Sequence, residues 1–389
     1  MKILMASDCY IFQTGGITNV VLSLVRGLRK NGHDVRVLAL SNTRESYKDD
    51  YSYFIGSFPV FYYPEQRRSL IRKSPLFDEL IEWKPDIIHL HTEGSISRMV
   101  DIIAKATGAP VVMTTHTDYA HFIFGRFKDT LPVHLLAKVW GAGTYKRTSA
   151  VIAPSEKARN FLTLQSVTDR VRVVPNGIEP GRYQKEVTPE EKEALFREIG
   201  FSDNGRTMVV VSRVSREKNI RELIRYMPSL LKREPEAQLI IVGDGPDRKR
   251  LEERCSEGIL SEHVRFLGRI DPDEVYKYYA IGDIFLSAST FEVHSMSYLE
   301  ALACGLPLVC REDKSIEGVV FHGENGFIYR TEREFIKYVS RLLSNPGLRK
   351  KMSGNAVRTA SEFTDERCVE RTFALYEDVL GKTGTDGTE

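Results

Sequence analysis

Asp283-Ile-Phe-Leu-Ser-Ala-Ser-Thr-Phe-Glu-Val-His-Ser-Met-Ser-Tyr-Leu-Glu-Ala-Leu-Ala-Cys-Gly-Leu-Pro307 is the stretch whose reading decides the fold. Its apolar start, Asp283–Ser289, reads as a buried strand. Ser297–Cys304 reads as a short helix stopped by Gly305 and Pro307. Glu292 then sits on a strand-to-helix loop and Glu300 inside the helix. Ser295, Met296 and Ser297 supply backbone N–H groups at the helix start. Those groups lack intrahelical partners and stand at the positive end of the dipole, so they attract anions. A pyrophosphate there, with a carboxylate on either side for sugar hydroxyls, is the arrangement a nucleotide sugar requires. The competing reading is a solvated helix with two exposed glutamates.

Strand-like runs alternate with helical periods along the rest of the chain. In the first half they are Lys2–Ala6, Asp34–Leu40, Val60–Tyr63, Ile87–Leu90, Val111–Thr115, Ala150–Ala153 and Val171–Val174. The pattern restarts at Thr207 and repeats at Gln238, Val264, Asp283 and Leu306. A βαβα order repeated twice predicts an α/β chain of two doubly wound, Rossmann-like domains with parallel sheets. A length of 389 residues also favours two domains. We expect a first domain over 1–180 and, near the end of the chain, an amphipathic helix at 364–381. A second domain is expected over 181–363, with its first helix within Gly181–Gly205, and a disordered tail over 382–389. In open α/β sheets ligands bind beyond the carboxyl ends of the strands, and two such domains can face each other across a cleft.

Composition excludes several classes. With 42% hydrophobic and 28% charged residues the chain is globular. No apolar run approaches the ~20 residues that cross a bilayer. Met1-Lys-Ile-Leu-Met-Ala-Ser-Asp8 meets a charge too soon for the apolar stretch of a secretory signal peptide and reads instead as a first strand. Five scattered cysteines, without metal spacing, read as reduced thiols of a cytoplasmic protein. Residues 1–185 hold 25 Lys+Arg against 17 Asp+Glu, and the remainder 30 against 36. A basic first half attracts anionic surfaces. Arg67-Arg68-Ser-Leu-Ile-Arg72-Lys73 is its densest piece, with Leu76-Phe77 following, and it suits an anionic membrane. A solvated loop is the ordinary alternative. No nucleic-acid partner is expected.

The remaining candidates follow strands. Gly15-Gly16 opens the first helix. Arg213 and Lys218, after the second domain's first strand, are spaced to share one pyrophosphate, as a fork and as a point charge. Gly243 and Gly245 turn tightly, with Asp244 expected to cap the next helix. Gly268-Arg269 follows another strand, where a base has room to lie. His116, ending a strand in Met113-Thr-Thr-His-Thr-Asp118, is placed to bond a sugar hydroxyl or to be a structural histidine. His89 and His91, at strand spacing, read as polar-tipped strand residues. Asp271-Pro-Asp273 has the look of a metal motif, but its proline and acids are helix-capping chemistry, so no metal site is expected.

Taken in order, these segments resemble the retaining glycosyltransferases of family 4, with the two-domain GT-B fold. Val174-Pro-Asn-Gly-Ile-Glu179 at the junction and Glu300-Ala-Leu-Ala-Cys-Gly-Leu-Pro307 carry the resemblance further. It implies that Arg213 and Lys218 hold the donor pyrophosphate, aided by Gly16 and the backbone of Ser295, Met296 and Ser297. Glu300 takes the ribose hydroxyls, Glu292 faces the reacting carbon, and His116 contacts the sugar. Gly243 and Arg269 complete the donor site, the helix at 364–381 crosses back to join the first domain, and no cofactor is implied. Val293-His294-Ser295 departs from the Phe-Gly pair of many members. The stretches around His116 and Glu292, with Cys310-Arg-Glu-Asp, are similar to bacterial diacylglycerol glucosyltransferases. That likeness implies a UDP-glucose donor and a lipid acceptor on the cytoplasmic face of the plasma membrane. Asp118 and the Arg67, Arg68, Arg72 and Lys73 patch would then face acceptor or membrane. A soluble or polyprenyl-linked acceptor, a UDP-sugar epimerase of the same fold and a non-catalytic binding module are the competing readings.

Overall fold

The computed structural model describes residues 1–12, 15–61, 63–116, 145, 147–164 and 170–381. The chain divides into two compact units, Met1–Gly177 with Asp365–Glu389, and Ile178–Thr364. Both are built on parallel sheets whose central strands are near-continuous apolar runs. That is the pattern of strands covered by helices on two faces.

In the first unit the strands are β1 (Lys2–Ser7), β2 (Asp34–Leu40), β3 (Tyr47–Lys48), β4 (Ser52–Ile55), β5 (Phe58–Val60), β6 (Tyr63–Arg68), β7 (Ile87–Leu90), β8 (Val111–Thr114), β9 (Ala150–Ala153) and β10 (Val171–Val173). Eight of them form one sheet in the order β10-β9-β8-β7-β1-β2-β4-β3, parallel except at β3–β4. The other two pair as a small antiparallel hairpin. The run Val60–Tyr63 is therefore not one strand, as its apolar residues suggested. Val60 ends β5, Tyr63 begins β6, and Phe61 lies in the turn between them. Arg67 and Arg68, expected in a loop, lie on β6.

The second unit contains β11 (Thr207–Val211), β12 (Gln238–Val242), β13 (Val264–Gly268), β14 (Ile284–Ser287), β15 (Leu308–Arg311) and β16 (Gly326–Tyr329). All are parallel, in the order β13-β12-β11-β14-β15-β16. The strand order reverses direction at β11, so the loops after β11 and β14 open a crevice between them. One core packs the helix Ile220–Leu231 under the sheet through Leu223, Ile224 and Met227. On the other face the helix Met296–Ala303 packs Leu299 and Leu302 with Phe285 and Leu308. The helix Pro189–Ile199 begins in a capping box of Thr188 and Glu191, inside the polar stretch where a first helix was expected.

The helix Asp365–Val379 returns to the first unit and packs on Gly16–Lys30. Gly27 permits that approach, since a Cβ there would lie 2.5 Å from Val369 Cγ2. Where the chain enters and leaves the second unit, Ile178 pairs with Thr364, and Ile178 N–H donates to the Phe363 carbonyl at 2.9 Å. All five cysteines are free thiols. Among the described residues no helix is long and apolar enough to cross a membrane.

Candidate active site

Three neighbouring loops of the second unit are joined backbone to backbone. Ser212 N–H donates to the Val242 carbonyl, Val214 N–H to Asp244, and Gly243 N–H to Gly268 at 2.7 Å. Gly243 has φ +128, and a Cβ there would fall 1.9 Å from the Ser212 carbonyl oxygen. Only glycine fits so close an approach in that conformation. The same packing corrects the expected role of Asp244. It accepts from Gly245 N–H and pairs with Arg248, while Asp247 occupies the cap of the helix Arg248–Cys255. Asp271 does not cap the next helix either: it accepts from Asp273 N–H at 2.9 Å in the turn before it, and the helix Val275–Ala280 starts from Glu274 with no side-chain cap.

The loop after β14 is tied to the loop after β11 by Thr290 N–H, which donates to the Glu217 carbonyl at 3.1 Å. Across this tie Lys218 Nζ donates to Glu292 Oε1 at 2.5 Å. A pocket is lined by Ser212, Lys218, Ser287, Glu292, Ser297 and Tyr298, among others. The helix Met296–Ala303 starts here from Ser295, with no side-chain cap on its first N–H groups. Ser295 Oγ is occupied with Ser297 Oγ at 3.1 Å. A lysine, a carboxylate and an uncapped helix start thus meet in one place. Such a group can bind a phosphate and orient polyhydroxyl groups beside it. Arg213, on the same loop as Lys218, is exposed, as is Arg269 after β13.

Glu300 is buried, and its surroundings were invisible in the sequence. Tyr183 Oη donates to its Oε1 at 2.9 Å and Tyr279 Oη to its Oε2 at 2.8 Å. Burial raises the carboxyl pKa, and the two phenols pull it partly back. Each oxygen keeps a second lone pair beyond its tyrosine bond. The spacing of eight residues from Glu292 pointed to Glu300 but gave no hint of the two tyrosines that hold it.

In the first unit Gly16 is exposed at the start of its helix, and His116 follows β8. His116 Nε2 contacts His91 Nδ1 at 2.9 Å. His89 is engaged by Tyr376 and Thr114. His89 on β7 and His91 directly after it are therefore bonded within the fold rather than merely polar-tipped. Asp118 lies outside the described residues, as does the 382–389 tail.

The basic patch is altered in detail. Arg67 spends its guanidinium on the fold: Nε donates to the Ser41 carbonyl and Ser57 Oγ, and Nη2 to the Ser57 carbonyl. It is a structural clamp rather than a surface contact. Arg68, Arg72 and Lys73 are exposed. Phe77, expected to face a membrane, is buried, because the helix Pro75–Trp83 turns it into the core. Exposed apolar side chains near the patch in sequence include Phe61 (88%) and Leu70 (76%), with Phe58 paired opposite Arg68. Among the described residues no group of three or more His, Cys, Asp or Glu is placed to hold a metal ion.

Comparison with known proteins agrees with this geometry. The model of Glycosyltransferase Family 4 matches residues 14–182, and that of Glycosyl transferases group 1 matches 191–359. An alpha-monoglucosyldiacylglycerol synthase of Acholeplasma laidlawii is 28% identical, over 98% of both chains. A protein of the same name from Streptococcus pneumoniae is 30% identical, over 86% of this chain and 76% of its own. Among solved structures, Anabaena HepE in complex with UDP-glucose superposes with a TM-score of 0.75 at 19% identity, covering 97% of this chain and all of that one.

Proposed function

This chain belongs to glycosyltransferase family 4 and is a glycosyltransferase of GT-B fold; from that premise we propose that it transfers glucose from UDP-glucose to diacylglycerol, with retention of configuration. The observation that carries the reading is the likeness, over the whole length of both chains, to a synthase of monoglucosyldiacylglycerol.

In the proposed reaction Lys218, Arg213 and the first N–H groups of the helix Met296–Ala303 take the donor diphosphate. Gly16, Gly243 and Arg269 belong to the same donor-binding set, Glu300 takes the ribose, and His116 bonds a substrate hydroxyl. Glu292 orients the sugar. The bond from the anomeric carbon to the β-phosphate oxygen breaks, and the acceptor hydroxyl oxygen bonds that carbon on the same face. Its proton passes to the departing phosphate, so UDP leaves and no side-chain base is consumed. Two side-chain cations and a helix start, fixed in advance where negative charge accumulates, stabilise the departing group. The scheme uses no metal.

The acceptor is a lipid, so the enzyme must meet a surface. Phe61 at a hairpin tip and Leu70 combine exposed apolar area with the cations Arg68, Arg72 and Lys73. That combination suits an anionic bilayer, since apolar burial and attraction to acidic headgroups act together. The test is transfer of label to the lipid fraction from UDP-glucose, UDP-galactose, UDP-N-acetylglucosamine and GDP-mannose, with and without anionic vesicles of diacylglycerol. Labelled lipid from UDP-glucose alone supports the proposal. UDP release without labelled lipid sends the search to saccharide acceptors.

A further inference from the structure

β7 and β8 end in a chain of buried polar contacts. His89 lies on β7 and His91 directly after it, where His91 N–H still bonds the Ala6 carbonyl of β1 at 2.8 Å, so both side chains face one side of the sheet. Their ring centroids are 4.1 Å apart. His89 is held at both nitrogens, by Tyr376 Oη of the C-terminal helix at 2.6 Å and by Thr114 Oγ1 of β8 at 2.7 Å. His91, 1% exposed, meets His116 Nε2 through Nδ1 at 2.9 Å. The two rings are inclined by only 21° with centroids 5.2 Å apart. That separation exceeds the nitrogen contact by about two ring radii, so the rings meet edge to edge, as a hydrogen bond in both ring planes requires.

Burial holds all three imidazoles neutral. It lowers His89 to about 3 and His116 to about 4, and puts His91 well below 6.5, neighbouring histidines adding to the effect on His89 and His91. Two neutral imidazoles joined in this way have two arrangements. Either both carry their proton on Nδ1 and His91 donates, or both carry it on Nε2 and His116 donates. His91 Nε2 decides between them, because it is buried and has no partner among the described residues. With a proton there it would be an orphaned buried N–H, the rarer defect in folded proteins. Without one it is an unmatched acceptor.

We propose that His91 is a positioning residue: its Nδ1–H donates to His116 Nε2 and commits His116 to the Nδ1–H form, which offers a donor to a substrate oxygen. His89, fixed by Tyr376 and Thr114, packs against His91 and sets its orientation. The C-terminal helix thereby supports a residue of the site through two rings. This inference rests on the reading of His116 as a substrate contact.

Side-chain 15N–1H spectra of the histidine-labelled full-length protein test it at neutral pH, where protonated and bare ring nitrogens resonate far apart. His91 and His116 are both expected as Nδ1–H; both as Nε2–H overturns the proposal. Kinetics with UDP-glucose and diacylglycerol vesicles give a second readout. His91→Leu should lower kcat about tenfold, leave KM for UDP-glucose unchanged and mix the His116 tautomers. His91→Asn, whose amide N–H can stand in for Nδ1–H, should restore most of the rate. Unchanged kcat and unchanged His116 signals in His91→Leu contradict the proposal, and if that variant does not fold the wild-type spectra still decide. Full activity of His116→Ala would instead remove the substrate reading of His116, and the positioning role with it, whatever tautomer the spectra show.

Discussion

Lys218 and Glu292, 74 residues apart in sequence, form an ion pair at 2.5 Å with side chains 21% and 11% exposed. The pair joins the loop after β11 to the loop after β14. It also sets two proposed roles against each other, since the lysine assigned to the diphosphate is already held by the carboxylate assigned to the sugar. A bound diphosphate must share Lys218 with Glu292. The competition gives opposite signs for the two substitutions.

Lys218→Ala should weaken UDP binding by about 1.5–3 kcal/mol, roughly 10- to 150-fold, the usual worth of a hydrogen bond to a charged group. Glu292→Gln should tighten UDP binding, by removing the competing anion, while lowering turnover. The double variant should not be the sum of the two. Calorimetric titration of UDP into each protein measures this. Equal losses of UDP affinity in both single variants would contradict the shared-lysine account.

Glu300 predicts a pH dependence of stability. Its folded pKa is raised above 4.5, chiefly by burial. Above that pH the unfolded chain loses the proton while the folded chain still holds it. The group's contribution is therefore fully present below 4.5 and is lost as the pH rises through the folded value. Glu300→Gln should gain stability relative to the wild type over that rise. Tyr183→Phe, which removes a bond to the carboxylate, should widen the window. Chemical denaturation from pH 4.5 upward measures both differences, and a gap between wild type and Glu300→Gln that does not change with pH would exclude a raised pKa.

The histidines of the first unit act in the opposite direction. His89 and His116 are depressed from 6.5 to about 3 and about 4, with burial the main cause. Below pH 6.5 the unfolded chain protonates them and the folded chain does not. Their stabilisation is present above 6.5 and lost as the pH falls. Tyr376→Phe leaves His89 Nδ1 without its partner and should cost about 1–3 kcal/mol. Hydrogen exchange read separately on β7 and on β12 checks both statements: β7 should lose protection first on acidification, and Tyr376→Phe should affect it selectively.

Membrane docking by the β5–β6 hairpin predicts that Phe61→Asp and Leu70→Asp reduce sedimentation with anionic vesicles, and that Arg68→Glu with Arg72→Glu does so more strongly at low salt. Activity on a detergent-dispersed acceptor should be retained in all of them. Vesicle binding equal to wild type in every variant would place the membrane contact elsewhere.

The strands were legible because a parallel strand covered on both faces is an apolar run, as in Gln238–Val242 and Val111–Thr114. The loops that carry Arg213, Lys218 and Glu292 were legible because they follow such strands. What stayed hidden depends on meetings between distant segments. Tyr183 and Tyr279 reach Glu300 from 117 and 21 residues away, with no spacing rule to announce them. β6, Tyr-Pro-Glu-Gln-Arg-Arg, is a polar strand containing proline, so neither propensity nor alternation marked it. Phe77 looked like a membrane anchor beside lysine and arginine until helical phase turned it inward.

The most direct measurement is the structure of the product. Purified protein, UDP-[13C]glucose and anionic vesicles containing diacylglycerol would be incubated, the lipid extracted, and its mass and anomeric coupling read by mass spectrometry and NMR. The account predicts a monoglucosyldiacylglycerol with the α configuration of the donor. A β-linked product would contradict retention, and no glucolipid, with UDP-glucose consumed or untouched, would contradict the lipid acceptor.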